Sequence, residues 1–164
     1  MYQNFKFTVN EEKSRINVQR TFNAELPLVW DAYTKSELLD QWWAPKPWKT
    51  KTKSMDFREG GHWHYAMVGP TGEEHWCWAD YKQIEVHKHY AGLDAFADVN
   101  GNINKDLPQS DWFVSFVKQE DSTLVEFEIS YGDISQLKAT IEMGFREGLA
   151  MAMQNLDELL ETLK

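Results

Sequence analysis

The sequence predicts an α+β domain in which one long C-terminal helix lies across a curved antiparallel sheet. Three observations carry that reading. From Trp48 to Ile129 the chain reads as successive strands separated by turn residues. Its C-terminal stretch then changes period: Ile141, Phe145, Gly148/Leu149, Ala152, Leu156, Leu159 and Leu163 recur at intervals of three or four, one apolar stripe of a helix. Finally, 164 residues of which 42% are hydrophobic make about one domain's worth of chain. No repeat, linker or low-complexity tract divides them.

The elements follow in order. Phe5, Phe7 and Val9 alternate up to the polar turn Asn10-Glu11-Glu12-Lys13, and Ile16, Val18 and Phe22 resume the alternation beyond it, which predicts two paired strands. Leu26 to Tyr33 reads as a helix, with Pro27 in its first turn, where a missing N–H costs nothing. A second short helix spans Ser36 to Trp42, with Thr34 or Ser36 as cap and Glu37 in its first turn. Ala44-Pro45-Lys46-Pro47 ends helical structure. Strands are then expected over Lys49–Phe57, Gly61–Val68, Glu73–Val86, Lys88–Phe96, Trp112–Lys118 and Thr123–Tyr131, with a polar loop from Asp98 to Pro108. The final helix, capped by Asp133 or Ser135 and running to Leu163, would be roughly 45 Å long at about 1.5 Å per residue. Gly144 and Gly148 inside it would let it bend or let another group approach.

Turn chemistry sets the register of the central hairpin. Pro70 and Gly72 fit a three-residue loop with a glycine bulge that pairs Gly69 with Glu73. Trp63 then opposes Ala79, Tyr65 opposes Cys77, Met67 opposes His75 and Tyr81 opposes Gly61, all on one face. His62, His64, Trp76, Trp78 and Asp80 share the other. A one-residue slip would exchange the two sets. On the later hairpin Glu126 and Glu128 alternate with Val125, Phe127 and Ile129, so the glutamates face water and Trp112, Val114 and Phe116 fall on the helix-facing side.

Composition excludes several classes. Lys+Arg is 17 against Asp+Glu 26, a net charge of −9, which argues against nucleic acid or an anionic membrane as partner. The N-terminal Met1–Lys6 holds no apolar stretch of signal-peptide length, and no run approaches a membrane span. The single Cys77 cannot form an internal disulfide and suits a reducing compartment, so a cytoplasmic protein is expected. Aromatic content is high, with 8 Trp, 6 Tyr and 9 Phe. Such a set builds a thick core, an aromatic-lined cavity or an adhesive surface.

No metal or cofactor is expected. His62 and His64 point one way from their strand while His75 and Cys77 point the other, and neither a CxxC nor an HExxH spacing occurs. They read instead as histidines on a wet sheet face. Asp98-Val99-Asn100-Gly101-Asn102-Ile103-Asn104 resembles a calcium loop, but its glycine and closing acid fall at the wrong positions. It reads as a solvated loop and a candidate lid over a cavity mouth.

Five motifs in register are similar to those of one family: Leu28-Val29-Trp30-Asp31-Ala32-Tyr33-Thr34, Leu39-Asp40-Gln41-Trp42-Trp43-Ala44-Pro45, Met55-Asp56-Phe57-Arg58-Glu59-Gly60-Gly61-His62-Trp63-His64-Tyr65, Gly69-Pro70-Thr71-Gly72-Glu73-Glu74 and Met143-Gly144-Phe145-Arg146-Glu147-Gly148-Leu149. Over about residues 16–163 the chain resembles the bacterial family related to the activator of 90-kDa heat-shock protein ATPase, within the SRPBCC/START-like superfamily. The resemblance implies a helix-grip fold, a sheet wrapped around the C-terminal helix with a hydrophobic-ligand cavity between them. It implies no catalytic motif. Leu149, where a Trp often stands, and Trp76-Cys77-Trp78, in a usually more polar stretch, depart from the pattern.

Three readings follow. The first is a module that binds a hydrophobic or aromatic small molecule in a cavity lined by Trp63, Tyr65, Cys77, Tyr81, Trp112, Val114, Phe145, Leu149 and Met153, with His75 and the two tyrosines orienting a polar group. The second is a cyclase- or hydrolase-type enzyme using His75 with Tyr65 or Cys77. The third is an interaction module, a homodimer through Trp76, Trp78 and Phe113 or a chaperone contact.

Overall fold

The computed structural model describes residues 4–164. Met1–Gln3, part of the N-terminal stretch read above for a signal peptide, lie outside the described residues. The chain forms β1 (Phe5–Asn10), β2 (Arg15–Phe22), α1 (Leu26–Thr34), α2 (Ser36–Trp42), β3 (Lys49–Asp56), β4 (His62–Val68), β5 (Glu74–Glu85), β6 (His89–Phe96), β7 (Gln109–Lys118), β8 (Thr123–Tyr131), α3 (Ile134–Glu142) and α4 (Phe145–Leu163). All eight strands join one antiparallel sheet in the order β1-β2-β8-β7-β6-β5-β4-β3. The two halves of the chain meet where β2 pairs with β8. The α+β helix-grip architecture expected from the sequence is the one observed.

The alternation of each strand decides what the sheet buries. On β2, Ile16, Val18, Arg20 and Phe22 face the helices, and on β8 so do Thr123, Val125, Phe127, Ile129 and Tyr131. Arg20 is the unexpected member of that row. Its guanidinium lies over the Phe22 ring, donates to the Thr21 carbonyl at 2.6 Å, and sits 3.7 Å from Asp157 of α4. One enclosed charge is thereby hydrogen-bonded and paired, as burial of an ion requires, and the pairing ties α4 to the sheet. Leu149, Ala152, Met153, Leu156 and Leu160 supply the apolar face of α4.

Two helical expectations are corrected. The single C-terminal helix is two helices, because Gly144 stands at φ 87° and ψ 23°, a left-handed conformation that ends α3 and starts α4. The apolar stripe crosses that break, so periodicity alone could not reveal it. Asp133 does cap α3, accepting from the Gln136 N–H at 3.0 Å. Neither Thr34 nor Ser36 caps α2: Lys35 occupies the N-cap position, and the Thr34 hydroxyl donates back to the Trp30 carbonyl at 2.8 Å. The central hairpin has the register that its turn implies, Trp63 to Ala79, Tyr65 to Cys77 and Met67 to His75, with Gly72 at φ 90°.

Candidate functional site

The sheet's inner face and helices α1 and α2 line a partly open cavity of about 40 Å³. Its walls are mostly aromatic: Trp63 and Tyr65 from β4, Tyr81 from β5, Tyr90 from β6, Trp112 from β7, and Tyr33 and Trp43 from the helical segment. Trp43 follows the last turn of α2 and leans edge-on against Trp63 and at a tilt against Trp112, at 5.9 and 6.2 Å between ring centroids. Leu39, Ala79, Gly92, Leu93 and Asp94 complete the lining, with part of Asp80.

Asp94 is the chemically distinct member. It opposes Ala79 on one side and Ser110 on the other, which places it on the inner, helix-facing surface of β6. Asp94 is half-buried, and the loss of hydration among the surrounding rings pushes its carboxyl up to about 7 from the ordinary range near 4. Among the described residues no hydrogen-bond donor reaches that carboxyl, and no Lys, Arg or His lines the cavity.

The indole donors of the cavity are committed elsewhere. Trp43 Nε1 donates to the Tyr65 hydroxyl at 3.1 Å, Trp63 Nε1 to Thr52 Oγ1 at 3.0 Å, and Trp112 Nε1 to Ser110 Oγ at 2.8 Å. The hydroxyls of Tyr81 and Tyr90 make no hydrogen bond among the described residues. Burial first, and then neighbouring acidic groups including Asp94, hold both phenols above their ordinary range.

The structure brings together only part of the site expected from the sequence. Trp63, Tyr65, Tyr81 and Trp112 line the cavity. Val114, Leu149 and Met153 are buried in the core instead, and Phe145 packs between Phe7 and Trp112. The cavity thus lies against α1 and α2, whereas α4 was expected to form its wall. Cys77 is buried behind the lining and its thiol is pushed up to about 12, by burial first and then by Asp94, which keeps it un-ionised near neutrality. His75 is exposed near the end of β5 and packs edge-on to Trp48 at 5.3 Å between ring centroids. It neither lines the cavity nor orients a group inside it. Sequence reasoning missed Asp94, Tyr90 and Trp43. The signal for Asp94 was present in the alternation Tyr90, Gly92, Asp94, Phe96, which puts a lone acid on the apolar side of a strand.

On the outer face, His62 stacks on Trp78 at 4.4 Å between centroids and bonds Ser54 Oγ at 2.8 Å. His64 is buried, which corrects its reading as a wet-face histidine. Its Nε2 lies 2.9 Å from the Asp98 carbonyl, which can only accept, so Nε2 carries the proton. The loop expected as a lid is therefore seated on the outer face through this bond, a Lys53-to-Val99 bond of 2.7 Å and the packing of Gly101 on Trp78. The Asp98 carboxylate accepts from the backbone N–H of Asn100 and Asn102 and from the Asn102 side chain. Those bonds hold it below its ordinary range and close the loop without an ion. No cluster of three or more His, Cys, Asp or Glu that could hold a metal occurs among the described residues. Trp76 and Trp78 are half-buried in this cluster, and Phe113 lies apart from them, stacked on His89 at 4.9 Å.

A larger concavity, about 350 Å³, lies on the outer face of β1, β2, β8 and β7. Its polar lining is engaged with itself, Gln19 donating to Glu126 at 2.7 Å and Thr8 to the Asn17 carbonyl. Its two carboxylates are paired, Glu126 with Gln19 and Glu128 with Arg15, whereas Asp94 of the inner cavity is not. Among the described residues no helix is long and apolar enough to cross a membrane.

Comparison with known proteins extends these findings. Residues 23–161 match the family model described as Activator of Hsp90 ATPase homolog 1-like protein. The fold is similar to that of protein Ms6760 from Mycobacterium smegmatis, with a TM-score of 0.88 and 26% identity over 94% of this chain and 95% of that one. It is similar to a protein from Arthrobacter aurescens, TM-score 0.90 and 25% identity over 96% and 91%. A Staphylococcus epidermidis protein superposes with a TM-score of 0.83 and 27% identity over 96% and 95%. The comparison with curated proteins gives no match.

Proposed function

The chain belongs to the Activator of Hsp90 ATPase homolog 1-like protein family, and from that premise we propose that it is a small-molecule-binding module whose ligand sits between the sheet and helices α1 and α2. One observation carries the reading: an aromatic-walled hollow into which an unpaired polar group projects. Ligand sites are characteristically apolar concavities with a few convergent polar groups. Tyr33, which lines the same hollow, has a buried hydroxyl without a partner among the described residues, and such a group is rare enough in a native fold to call for one.

The volume sets the terms. Drug-sized ligands occupy pockets of roughly 300–1,000 Å³, and about 40 Å³ holds only a molecule of few heavy atoms. A larger ligand must displace a wall. Trp43 is the indole placed to move, since it follows a helix end while Trp63 and Trp112 are fixed in paired strands. Binding is favoured over the His75/Cys77 enzyme reading because His75 lies outside the cavity and the Cys77 thiol is held un-ionised.

The test is a titration with small aromatic molecules of neutral, cationic and anionic charge, followed through the indole N–H resonances of Trp43, Trp63 and Trp112 by NMR. At least one is expected to give saturable shifts at all three indoles. Ala79→Leu, which fills the hollow with a larger apolar group, is expected to abolish them while the fold is retained. Shifts that never saturate, or that persist in Ala79→Leu, would refute the module.

A further inference from the structure

We propose that the cavity selects a ligand carrying a protonated amine, with Asp94 as its counter-ion and the surrounding indole and phenol rings as its walls. The inference rests on the binding reading above and adds the charge and hydrogen-bonding character of the ligand.

The argument starts from what the walls offer. Of the two aspartates in the cavity lining, Asp80 is exposed and accepts from Trp78 Nε1 at 2.8 Å, which leaves Asp94 as the unpaired carboxyl, and among the described residues no cationic side chain lines the cavity. Its three indole N–H groups are spent on Tyr65, Thr52 and Ser110, so none donates to Asp94. The remaining polar side-chain atoms are the hydroxyls of Tyr33, Tyr81 and Tyr90, unpaired among the described residues, and the Tyr65 oxygen that accepts from Trp43. A protonated primary amine brings three donors and no acceptor. It therefore complements one carboxylate and neighbouring hydroxyl oxygens. A carboxylate ligand would meet Asp94 with like charge, and an uncharged apolar ligand would leave it unpaired.

The rings add a second source of selectivity. A cation is attracted to the face of an indole or phenol within about 6 Å of the ring centroid, most strongly where water is excluded. Trp43, Trp63, Trp112, Tyr65, Tyr81 and Tyr90 crowd around a hollow small enough to hold such a group in reach of several rings. Every lining aromatic other than Tyr33 belongs to this set.

The proton on Asp94 gates the site. The titratable groups that face it are Tyr65 from β4, Cys77 and Tyr81 from β5, Tyr90 from β6 and Tyr131 from β8, with Tyr33 of α1 lining the same cavity. Each is held above its ordinary value, so all stay neutral while Asp94 titrates. Affinity for a cation accordingly rises with pH as Asp94 ionises and falls as it is protonated.

The experiment compares benzylamine with benzyl alcohol, and n-propylamine with n-propanol, pairs alike in shape and different in charge. Both are titrated into the whole protein at pH 8.5 and pH 5.5, with the amines protonated throughout. At pH 8.5 each amine is expected to bind at least tenfold tighter than its alcohol. That preference is expected to disappear in Asp94→Asn, and to shrink at least tenfold at pH 5.5 in the unmodified protein, a readout that needs no variant to fold. Equal affinity of amine and alcohol would overturn the charge assignment and leave the binding module standing. A preference that survives both Asp94→Asn and low pH would overturn the role of Asp94. Saturable binding by none of the four would overturn this inference, and the module falls with it only if the wider titration above also fails to saturate.

Discussion

A half-buried carboxylic acid set among aromatic rings holds its proton to higher pH because the ionised form loses part of the hydration that the unfolded chain provides. For Asp94 the consequence is a pH-dependent burden on the fold. In the unfolded chain the group ionises near pH 4, whereas in the folded protein it does so near 7. Between those values the folded state binds more protons than the unfolded state, so stability falls as pH rises through that window. Asp94→Asn removes the titrating group and keeps its shape. The variant is expected to gain on the unmodified protein between pH 4 and pH 8, by up to about 4 kcal/mol, with no relative change below pH 4. Urea unfolding at pH 4, 6 and 8 checks this, and a difference that stays constant with pH would mean that Asp94 does not titrate as its surroundings dictate. A residue that costs stability in the empty protein is one that a cationic ligand could repay at the moment of binding.

At the scale of elements, two glycines do opposite work. Gly144 breaks the C-terminal helix by adopting a left-handed conformation, and a side chain there would meet open space. Gly92 sits in β6 opposite the bulge of β5, where the register shifts between Tyr81 and Gln83, and a Cβ there would run into the Asp80 carbonyl oxygen. Gly144→Ala is expected to cost roughly 1–2 kcal/mol, the strain of an L-residue in the left-handed region. Gly92→Ala is expected to cost more, about 3 kcal/mol or beyond, since backbone must move. Thermal unfolding of the two variants ranks them, and the reverse order would refute the close approach at the bulge. These positions also show what the sequence made legible. The β4–β5 register was readable because it follows from the local chemistry of Pro70 and Gly72. The helix break was not, because a glycine reads the same in a helix as at its end. The placement of Asp94 needed only the alternation of β6, but that strand gives a weak signal of its own, with Gly92 and Asp94 among its residues. The role of Trp43 required the docking of α2 onto the sheet, a non-local event.

For the whole molecule, the question is why the cavity and the grip of the C-terminal helix are separate places. The sheet is wide enough for two packings on one face. Along α4, the buried side of the helix meets β2 and β8, where Val18, Phe127 and Ile129 are almost wholly enclosed. Over β4, β5 and β6, α1 and α2 supply the cover instead, and their aromatic rings leave the hollow. The wholly buried residues of the helix-facing strands and the hollow under α1 and α2 are thus separate places, which separates stability from binding. Met153→Ala, in a helix residue with no exposed surface, is expected to cost about 2–5 kcal/mol through lost burial and the space left behind, while the dissociation constant for benzylamine stays unchanged. Ala79→Leu is expected to remove benzylamine binding at a stability cost below that of Met153→Ala, since the added group enters space that is already empty. Urea unfolding and NMR titration on the same two samples decide the matter. A Met153→Ala protein that loses ligand binding while still folded would show that α4 forms part of the ligand site, as the sequence alone suggested, and would return the cavity to the space between sheet and C-terminal helix.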